Sequence, residues 1–307
     1  MSVTLPNPGM NFVPLEVLTA ENQNKIVENV EFLASKIQDS TNAYVTSRLA
    51  IYIDGTNGND NNSGTTAQTA KKTLQSALDL LNTLGGSIDF KFVTAGNYTA
   101  HGGYFDAVNL LFEKNSTSVG TVTINFSSQA NIENSVIDLR TVNLEGANIE
   151  MYNSQLRTTR AILGSSITLY GTQSQISECT LKQPLSLSNG AAANLNACTI
   201  APEFSTGIPV KIGSSSSVTI SNSLIVNEPT TAGLQMLFSV TGGHLIFSSN
   251  PTITNNVSAN KFARPLAMAS AFVVMRDSTK AILDAMATGT NYQSDSLIIK
   301  GNATVGS

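Results

Sequence analysis

A six-residue frame recurs through the middle of the chain and constrains its fold more than any other feature. Each copy reads apolar residue, two polar or small residues, Ser or Cys, any residue, apolar residue. Five copies begin at Ile132, Met151, Ile176, Leu195 and Ile220, and a degenerate sixth begins at Phe247. Their starts lie 19, 25, 19, 25 and 27 residues apart. Repeats of this length are typical of solenoid proteins.

A short segment of alternating apolar residues ends seven or eight residues before each frame. An alternation of period two predicts β-strands rather than helices. The segments are residues 122–124, 142–144, 167–169, 185–187, 210–212 and 238–240. One coil of this kind cannot bury its apolar side alone, whereas stacked coils bury a continuous core. The sequence therefore predicts an all-β fold, a parallel β-helix, with its coils in residues 121–257.

Composition excludes several classes of protein. The net charge is −4 and no basic run is present, which argues against a nucleic-acid partner or an anionic membrane surface. The apolar runs are far shorter than a membrane span needs, so no membrane insertion is predicted. Residues 1–30 lack the pattern of a secretory signal peptide. We therefore expect a protein that is assembled in a cytoplasm, or that leaves it without the general secretory route.

The two cysteines occupy the same frame position in neighbouring copies. Cys179 and Cys198 should therefore lie one above the other in consecutive coils. Two packed free thiols are the favoured interpretation, because cysteine is among the most buried residue types. A disulfide is the alternative, although neighbouring in-register strands rarely provide its geometry.

Residues 1–19 read as an extended arm. They contain three prolines and an apolar cluster, Phe12, Val13, Pro14 and Leu15, that has no local partner to bury against. Such a segment usually docks on another surface. A frayed terminus is the alternative.

Residues 20–43 are predicted to contain a short helix. Its apolar residues Ile26, Val30, Leu33 and Ile37 are spaced four, three and four apart, as in a coiled coil. β-branched residues at these positions favour trimers over dimers. The sequence therefore predicts a trimerisation stalk, and the alternative is a lone helix lying across the first coil.

Residues 44–120 are predicted to form the first part of the β-helix and its cap. Thr73 has the position of an N-cap for a short helix with an apolar side at Leu74, Ala77, Leu78 and Leu81. An open solenoid end exposes unpaired strand edges and bare core, so it needs a cap. Residues 258–307 depart from the frame and are predicted to form the terminal coils and a C-terminal cap.

Two segments carry a resemblance to known proteins. A strand, the run from Asp54 to Gly64, the helix with Thr73, a second strand and Gly96-Asn-Tyr98 follow in an order that resembles the beginning of pectate-lyase-like domains. These are single-stranded, right-handed parallel β-helices found in bacteriophage tailspikes and related fibres. The arm and heptad helix are similar to virion-attachment segments of phage fibres. The likeness covers roughly residues 5–100 by motif and 120–255 by architecture.

The resemblance implies a homotrimer in the virion, assembled in the host cytoplasm. Its arm, residues 1–19, would dock on a phage tail or capsid protein. Its β-helix would recognise a bacterial surface polysaccharide during host adsorption.

No catalytic signature stands out. Glycan-cleaving β-helices resemble one another in using paired carboxylates, and the weak candidates are Glu150 and Glu178. The run Asp60-Asn-Asn62 is similar to the start of a calcium loop, but Lys71 stands where an EF-hand has its Glu. No metal and no cofactor is predicted, and the scarcity of carboxylates favours recognition without cleavage.

Aromatic and amide side chains are the residues expected to bind a glycan. The candidates are Tyr98, Tyr104, Tyr152, Tyr170 and Gln173. Three hypotheses follow: a receptor-binding fibre or tailspike-like protein, a polysaccharide depolymerase with carboxylates between subunits, and a structural head fibre or decoration protein. Their discriminators are cleavage of the polysaccharide and the site at which the arm docks.

Overall fold

The structure is a computed structural model that describes residues 48–81, 86–204, 207–229, 236–248, 251–259, 261–288 and 297–300, with Glu28, Val30 and Glu31. The chain divides into two compact units, Met1–Leu49 and Ala50–Ser307. The second unit is mostly β, with one 17-stranded and one eight-stranded sheet whose described strand pairs are parallel. This arrangement is consistent with a parallel β-helix, so the predicted β-rich, parallel architecture is confirmed.

The elements follow one another along the chain at short intervals. The first strands are β1 (Leu49–Ile53), β2 (Ser87–Phe92), β3 (Gly96–Ala100), β4 (Tyr104–Asp106), β5 (Asn109–Lys114) and β6 (Val122–Phe126). The central strands are β7 (Ala130–Glu133), β8 (Val136–Arg140), β9 (Asn143–Gly146), β10 (Ile149–Tyr152), β11 (Gln155–Thr159), β12 (Ile162–Leu163), β13 (Ile167–Tyr170), β14 (Gln173–Ser177) and β15 (Thr180–Leu181). The last strands are β16 (Leu185–Ser188), β17 (Ala192–Ile200), β18 (Val210–Ile212), β19 (Ser217–Asn227), β20 (Phe238–Thr241), β21 (His244–Phe247), β22 (Thr252–Asn256), β23 (Leu266–Ala269), β24 (Phe272–Met275) and β25 (Leu297–Lys300). The helices are α1 (Leu74–Leu78) and α2 (Asp277–Ala285).

A central coil consists of three strands that each pair with the same strand of the next coil. Strand β10 pairs with β13, β11 with β14 and β12 with β15. The first strands of successive coils, from β4 to β23, make up the eight-stranded sheet. The second and third strands belong to the 17-stranded sheet. Alternate residues of each strand point into the core, as in the buried Ile167 and Leu169 of β13.

The register corrects the repeat read from the sequence. Ile132 and Met151 are partners in the eight-stranded sheet, whereas Ile176 and Leu195 are partners in the larger sheet. The frame therefore marks two different corners of the coil, and the interval of 25 residues between Met151 and Ile176 is not a coil. The partner of Met151 in the next coil is Leu169, so successive coils here take 19 and 18 residues.

Both corners use the same local chemistry. Asn153 at the first corner and Glu178 at the second have positive φ angles of 46° and 54°. This left-handed conformation is common for Asn and bends the chain between one strand and the next within a single residue. A small buried residue follows in each case, Ser154 or Cys179. The fourth position of the frame therefore requires a small residue, because its side chain points into the core at the corner.

The two cysteines are buried free thiols, as predicted. Thr180 and Thr199 are register partners, which places Cys179 and Cys198 beside each other in consecutive coils. The Cys179 Sγ lies 3.2 Å from Thr158 Oγ1, and the Cys198 Sγ donates to the Ile176 carbonyl at 3.1 Å. Each thiol therefore has a polar partner inside the core.

The predicted helix after Thr73 is present. Thr73 is the N-cap of α1, and its hydroxyl accepts a hydrogen bond from the Ser76 N–H at 3.2 Å. Leu74, Ala77 and Leu78 are buried. Helix α1 packs against β3, close to the first coils.

Several predictions fall largely outside the described residues. Of the helix predicted within 20–43, only Glu28, Val30 and Glu31 are described; they are helical, and the Val30 side chain is 59% exposed. The other predicted residues of the stalk (Ile26, Leu33 and Ile37) and of the arm (Phe12, Val13, Pro14 and Leu15) lie outside the described residues. No helix in the described part of the chain is long and apolar enough to cross a membrane.

Candidate functional site

The outer surface of the eight-stranded sheet carries two columns of side chains, because its strands are in register and alternate residues point outward. We call this surface the tyrosine face. The first column contains Tyr104, Asn131, Glu150, Thr168, Ser186, Lys211 and Ser239. The second contains Asp106, Glu133, Tyr152, Tyr170 and Ser188.

Two tyrosine rings stack at the centre of this face. Tyr152 and Tyr170 are register partners, and their ring centroids lie 4.6 Å apart with an interplanar angle of 7°. Contact between aromatic rings contributes about 0.5–1.5 kcal/mol beyond the area that it buries. The stack therefore holds two aromatic rings in a fixed orientation on an outer surface.

A glutamate lies against each of two tyrosine hydroxyls. The Tyr152 hydroxyl donates to Glu150 Oε2 at 2.6 Å, and the Tyr104 hydroxyl donates to Glu133 Oε2. These hydrogen bonds, with smaller effects of desolvation and of the carboxylate charge, raise the pKa of each tyrosine to about 12. Both phenols therefore stay protonated at neutral pH, and both carboxylates are held in place as hydrogen-bond acceptors.

Charge is distributed unevenly along the tyrosine face. The acidic residues in the strands of the eight-stranded sheet are Asp106, Glu133 and Glu150, all in its first three strands. Lys211 in β18 is the cationic residue of these described strands, and it is exposed. The face is therefore acidic near β4 to β10 and basic near β18.

The structure brings together three of the five predicted glycan contacts. Tyr104, Tyr152 and Tyr170 all lie on the tyrosine face. Tyr98 is 5% exposed, and its ring centroid lies 4.7 Å from that of Phe92. Tyr98 therefore belongs to the core, which corrects its assignment to a glycan surface.

Gln173 lies on a different surface, the outer face of the larger sheet. A shallow groove of about 280 Å³ runs there over β11, β14, β17 and β19. Polar side chains line it: Gln155, Arg157, Gln173, Gln175, Asn194 and Thr219. This groove has amide groups but no aromatic ring, so it offers hydrogen bonds without a stacking surface.

The two weak catalytic candidates lie apart. Glu150 is in β10 of the eight-stranded sheet, whereas Glu178 is at the corner between β14 and β15 in the other sheet. The Glu178 carboxylate forms an exposed ion pair with Arg160 at 2.7 Å. The structure therefore does not join these residues in one site, and places Glu133 on the strand adjacent to Glu150.

Other acidic groups are engaged in structural contacts. Arg140 pairs with Asp138 at 2.8 Å, and Lys91 pairs with Glu113 at 2.6 Å on the larger sheet. Asp60 Oδ1 accepts the N–H groups of Lys72 and Thr73 at 2.9 and 2.8 Å, next to the N-cap of α1. Within the described residues, no group of three or more His, Cys, Asp or Glu side chains could hold a metal ion.

Sequence reasoning assigned no role to Lys211, Ser186 or Ser188. The alternation in 185–187 and 210–212 predicts that Ser186 and Lys211 point outward, whereas Ser188 lies just beyond the predicted segment. The neighbours of these three residues in the adjacent coils depend on the strand register. One coil with a wrongly predicted length gives wrong neighbours for every residue after it. No family model, curated protein or solved structure matches the chain, so the candidate site is defined by its own geometry.

Proposed function

We propose that this protein recognises a bacterial surface polysaccharide through its tyrosine face. The observation that supports this most is the Tyr152–Tyr170 stack with a glutamate hydrogen-bonded to Tyr152. Sugar rings bind through their C–H faces to aromatic rings and through their hydroxyls to fixed polar groups. Tyrosine supplies both an apolar ring and a polar end.

The proposed setting is a virion-attached phage fibre or tailspike-like protein that acts in host adsorption. The parallel β-rich unit supports this proposal, as does the resemblance of the sequence to phage fibres. In this proposal, residues 1–19 dock on a tail or capsid protein and the helix within 20–43 joins three copies. The β-helix then projects outward with the tyrosine face available to the glycan.

Two surfaces can be separated by mutation. We expect Tyr152→Ala and Tyr170→Ala to weaken binding to purified capsules and O-chains of candidate host bacteria by about tenfold each, because the first removes the ring that holds Tyr170 in place and the second removes the stacking surface itself. The matched control is Gln173→Ala with Gln175→Ala in the groove of the larger sheet. Binding on a polysaccharide array measures both. Loss in the control alone, with the tyrosine variants unaffected, would move the site to the groove.

A second candidate function is hydrolysis of the polysaccharide, and one observation favours it. Glu133 and Glu150 lie on adjacent parallel strands, offset by two residues. Strand geometry places their Cα atoms about 8 Å apart. Inverting glycosidases separate their carboxyl groups by about 6.5–9.5 Å.

An assay of polysaccharide chain length tests hydrolysis. If the protein shortens its ligand, Glu133→Gln and Glu150→Gln should each abolish the shortening, whereas Glu178→Gln should leave it unchanged. An undiminished reaction in both variants would remove the pair from consideration. A chain length that stays constant with the unmodified protein supports recognition without cleavage.

A third candidate is a structural head fibre or decoration protein. Deletion of residues 1–19 should release the protein from particles in both virion settings and leave the β-rich unit folded. The place on the particle where the protein is attached then distinguishes a head fibre or decoration protein from a tail fibre. Loss of folding on this deletion would contradict the assignment of the arm.

A further inference from the structure

We infer that the tyrosine face binds a sugar that carries an anionic substituent, seated between Tyr170 and Lys211. This inference rests on the proposed function, because it specifies the chemistry of the ligand at that surface. Three observations support it: a Tyr170 ring face next to a small residue, a floor of small residues, and a lysine that pairs with no described carboxylate.

One face of the Tyr170 ring is covered and the other adjoins a small residue. Tyr152 covers the side towards β10. On the other side, the register partner of Tyr170 is Ser188, whose side chain is too short to cover an aromatic ring. The exposed stacking surface of the pair is therefore the Tyr170 face that points towards β16.

The next positions form a low shelf beside that ring. Gly213 follows the strand paired with β16, and a Cβ atom at Gly213 would lie 3.1 Å from Ser188 Oγ. The neighbouring position in the first column is Ser186. Among the described residues, the hydroxyls of Ser186 and Ser188 have no hydrogen-bond partner. The shelf therefore presents only small side chains beside the Tyr170 ring, with two hydroxyls that no described residue engages.

Lys211 closes the shelf on the side opposite Tyr170. It is the register partner of Ser186, two strands from Tyr170 and offset by two residues along the strand, which places the Cα atoms of Lys211 and Tyr170 about 12 Å apart. No carboxylate of the described residues pairs with its ammonium group. Glu150 lies three strands away along the first column. An anionic group on a sugar stacked against Tyr170 would thus meet a cation without a competing acid.

The two ends of the face should orient the glycan. The carboxylates of Glu133 and Glu150 accept hydrogen bonds and repel anions, whereas Lys211 attracts them. A uronic acid carboxylate, a phosphate ester and a sulfate ester all have the required charge. The shared requirement is one negative charge within reach of Lys211.

The test uses the full-length protein and a panel of purified capsules and O-chains, each presented untreated, with its carboxyl groups reduced, and with its phosphate and sulfate esters removed. We expect the bound glycans to be anionic, and the treatment that removes their charge identifies its source. We expect Lys211→Gln to weaken their binding about twofold to fivefold, as for an exposed ion pair, with a smaller difference at high salt. Lys211→Glu should weaken it further. Arg157→Gln, on the larger sheet, is the matched control.

Each outcome decides between the two proposals. Two results would overturn the proposal of an anionic sugar while leaving the proposed function in place. One is that the neutralised glycan binds as tightly as the untreated one. The other is that neither Lys211→Gln nor Lys211→Glu changes the affinity. In that case Tyr170→Ala should still weaken glycan binding. If the protein binds no glycan of the panel, both proposals fail.

Discussion

Asp54 shows how a single carboxylate holds the turn that follows β1. Its Oδ1 accepts the N–H groups of Thr56 and Asn57 at 2.9 and 3.0 Å and the Thr94 hydroxyl at 3.1 Å. Burial raises its pKa, but the hydrogen bonds from Asn57, Thr56 and Thr94 outweigh burial and hold the pKa below 3.8. Asp54 therefore links β1 to the segment before β3.

We predict that Asp54→Asn destabilises the protein at neutral pH by about 1–3 kcal/mol, because hydrogen bonds to a charged acceptor are lost. Since the folded-state pKa is lowered, the carboxylate stabilises the fold above pH 3.8, and this contribution disappears as the pH falls through the folded-state pKa. Urea unfolding from pH 7 down to pH 2 should therefore show a weaker acid dependence in the variant. Glu203→Gln, which removes an exposed ion pair, is the control. Equal acid dependence in Asp54→Asn and wild type would contradict this.

The cysteines give a second prediction from single residues. Burial raises the pKa of Cys198 to about 12 and also raises the pKa of Cys179. Because the thiolate is the reactive form, neither thiol should react with a disulfide reagent at pH 8 in the folded protein. Both should react in denaturant. Rapid labelling of the folded protein would contradict the burial of the two thiols in the core.

In three consecutive coils, the corner after the first strand is held by a ladder of buried hydroxyls, those of Ser135, Ser154 and Thr172. The Ser135 N–H donates to Ser154 Oγ at 3.1 Å, and the Ser154 N–H donates to Thr172 Oγ1 at 3.3 Å. The Ser154 hydroxyl in turn donates to the Tyr152 carbonyl at 2.7 Å. The ladder satisfies backbone groups that the turn removes from strand pairing, and Ser154 and Thr172 follow the stacked Tyr152 and Tyr170 by two residues each.

We predict that Ser154→Ala lowers the free energy of unfolding by about 1–3 kcal/mol, because it leaves the buried Ser135 N–H without an acceptor. The chain contains its own control. Ser174 is also buried, but its hydroxyl has no hydrogen-bond partner in the part of the chain that the structure describes, so Ser174→Ala should be neutral or stabilising. Chemical denaturation measures both variants. Equal losses for the two would assign the effect to packing instead of the ladder.

Buried polar residues also explain why the sequence predicts parallel coils but does not show which corner of a coil each copy of the frame marks. The run Leu169-Tyr-Gly-Thr172-Gln-Ser174 is a copy of the frame, with Thr at the small position and Ser at the last apolar position. Thr158, buried in β11, likewise stands where Ile176 stands one coil later. Polar residues at these positions mask one copy of the frame at each of the two corners. The copies that remain recognisable therefore belong to different corners of the coil, and the intervals between them are not all coil lengths. Apolar periodicity alone cannot detect a coil whose core positions are polar.

Sequence reasoning recovered part of the site for a related reason. Tyr152 and Tyr170 end short alternating strands, so their outward direction followed from the pattern. The sequence predicts Tyr98 on the outer surface, yet in β3 Asn97 and Thr99 are exposed and Tyr98 is buried. A tyrosine fits either side of a strand, and only its contacts decide. The role of Lys211 depends on the register of three coils, which the sequence alone does not determine.

The proposed trimer leads to a prediction for the whole molecule. The unit Ala50–Ser307 contains its own core, so a version starting at Arg48 should stay folded. If the helix within 20–43 is the assembly element, light scattering should give three times the chain mass of 32.3 kDa for the full chain and a monomer for the shortened one. A trimer in both would assign assembly to the β-helices. A monomer in both would contradict the fibre proposal.

Whether the tyrosine face is the glycan-binding surface can be observed at the tyrosines themselves. The chain has seven tyrosines, and with ¹³C-labelled tyrosine each ring gives assignable NMR signals. On titration with a surface polysaccharide that the protein binds, we predict that the largest shifts belong to Tyr152 and Tyr170, with smaller shifts at Tyr104. Tyr98, in the core, should stay unchanged. Saturable binding that leaves the signals of Tyr104, Tyr152 and Tyr170 unmoved would show that the glycan binds elsewhere on the protein.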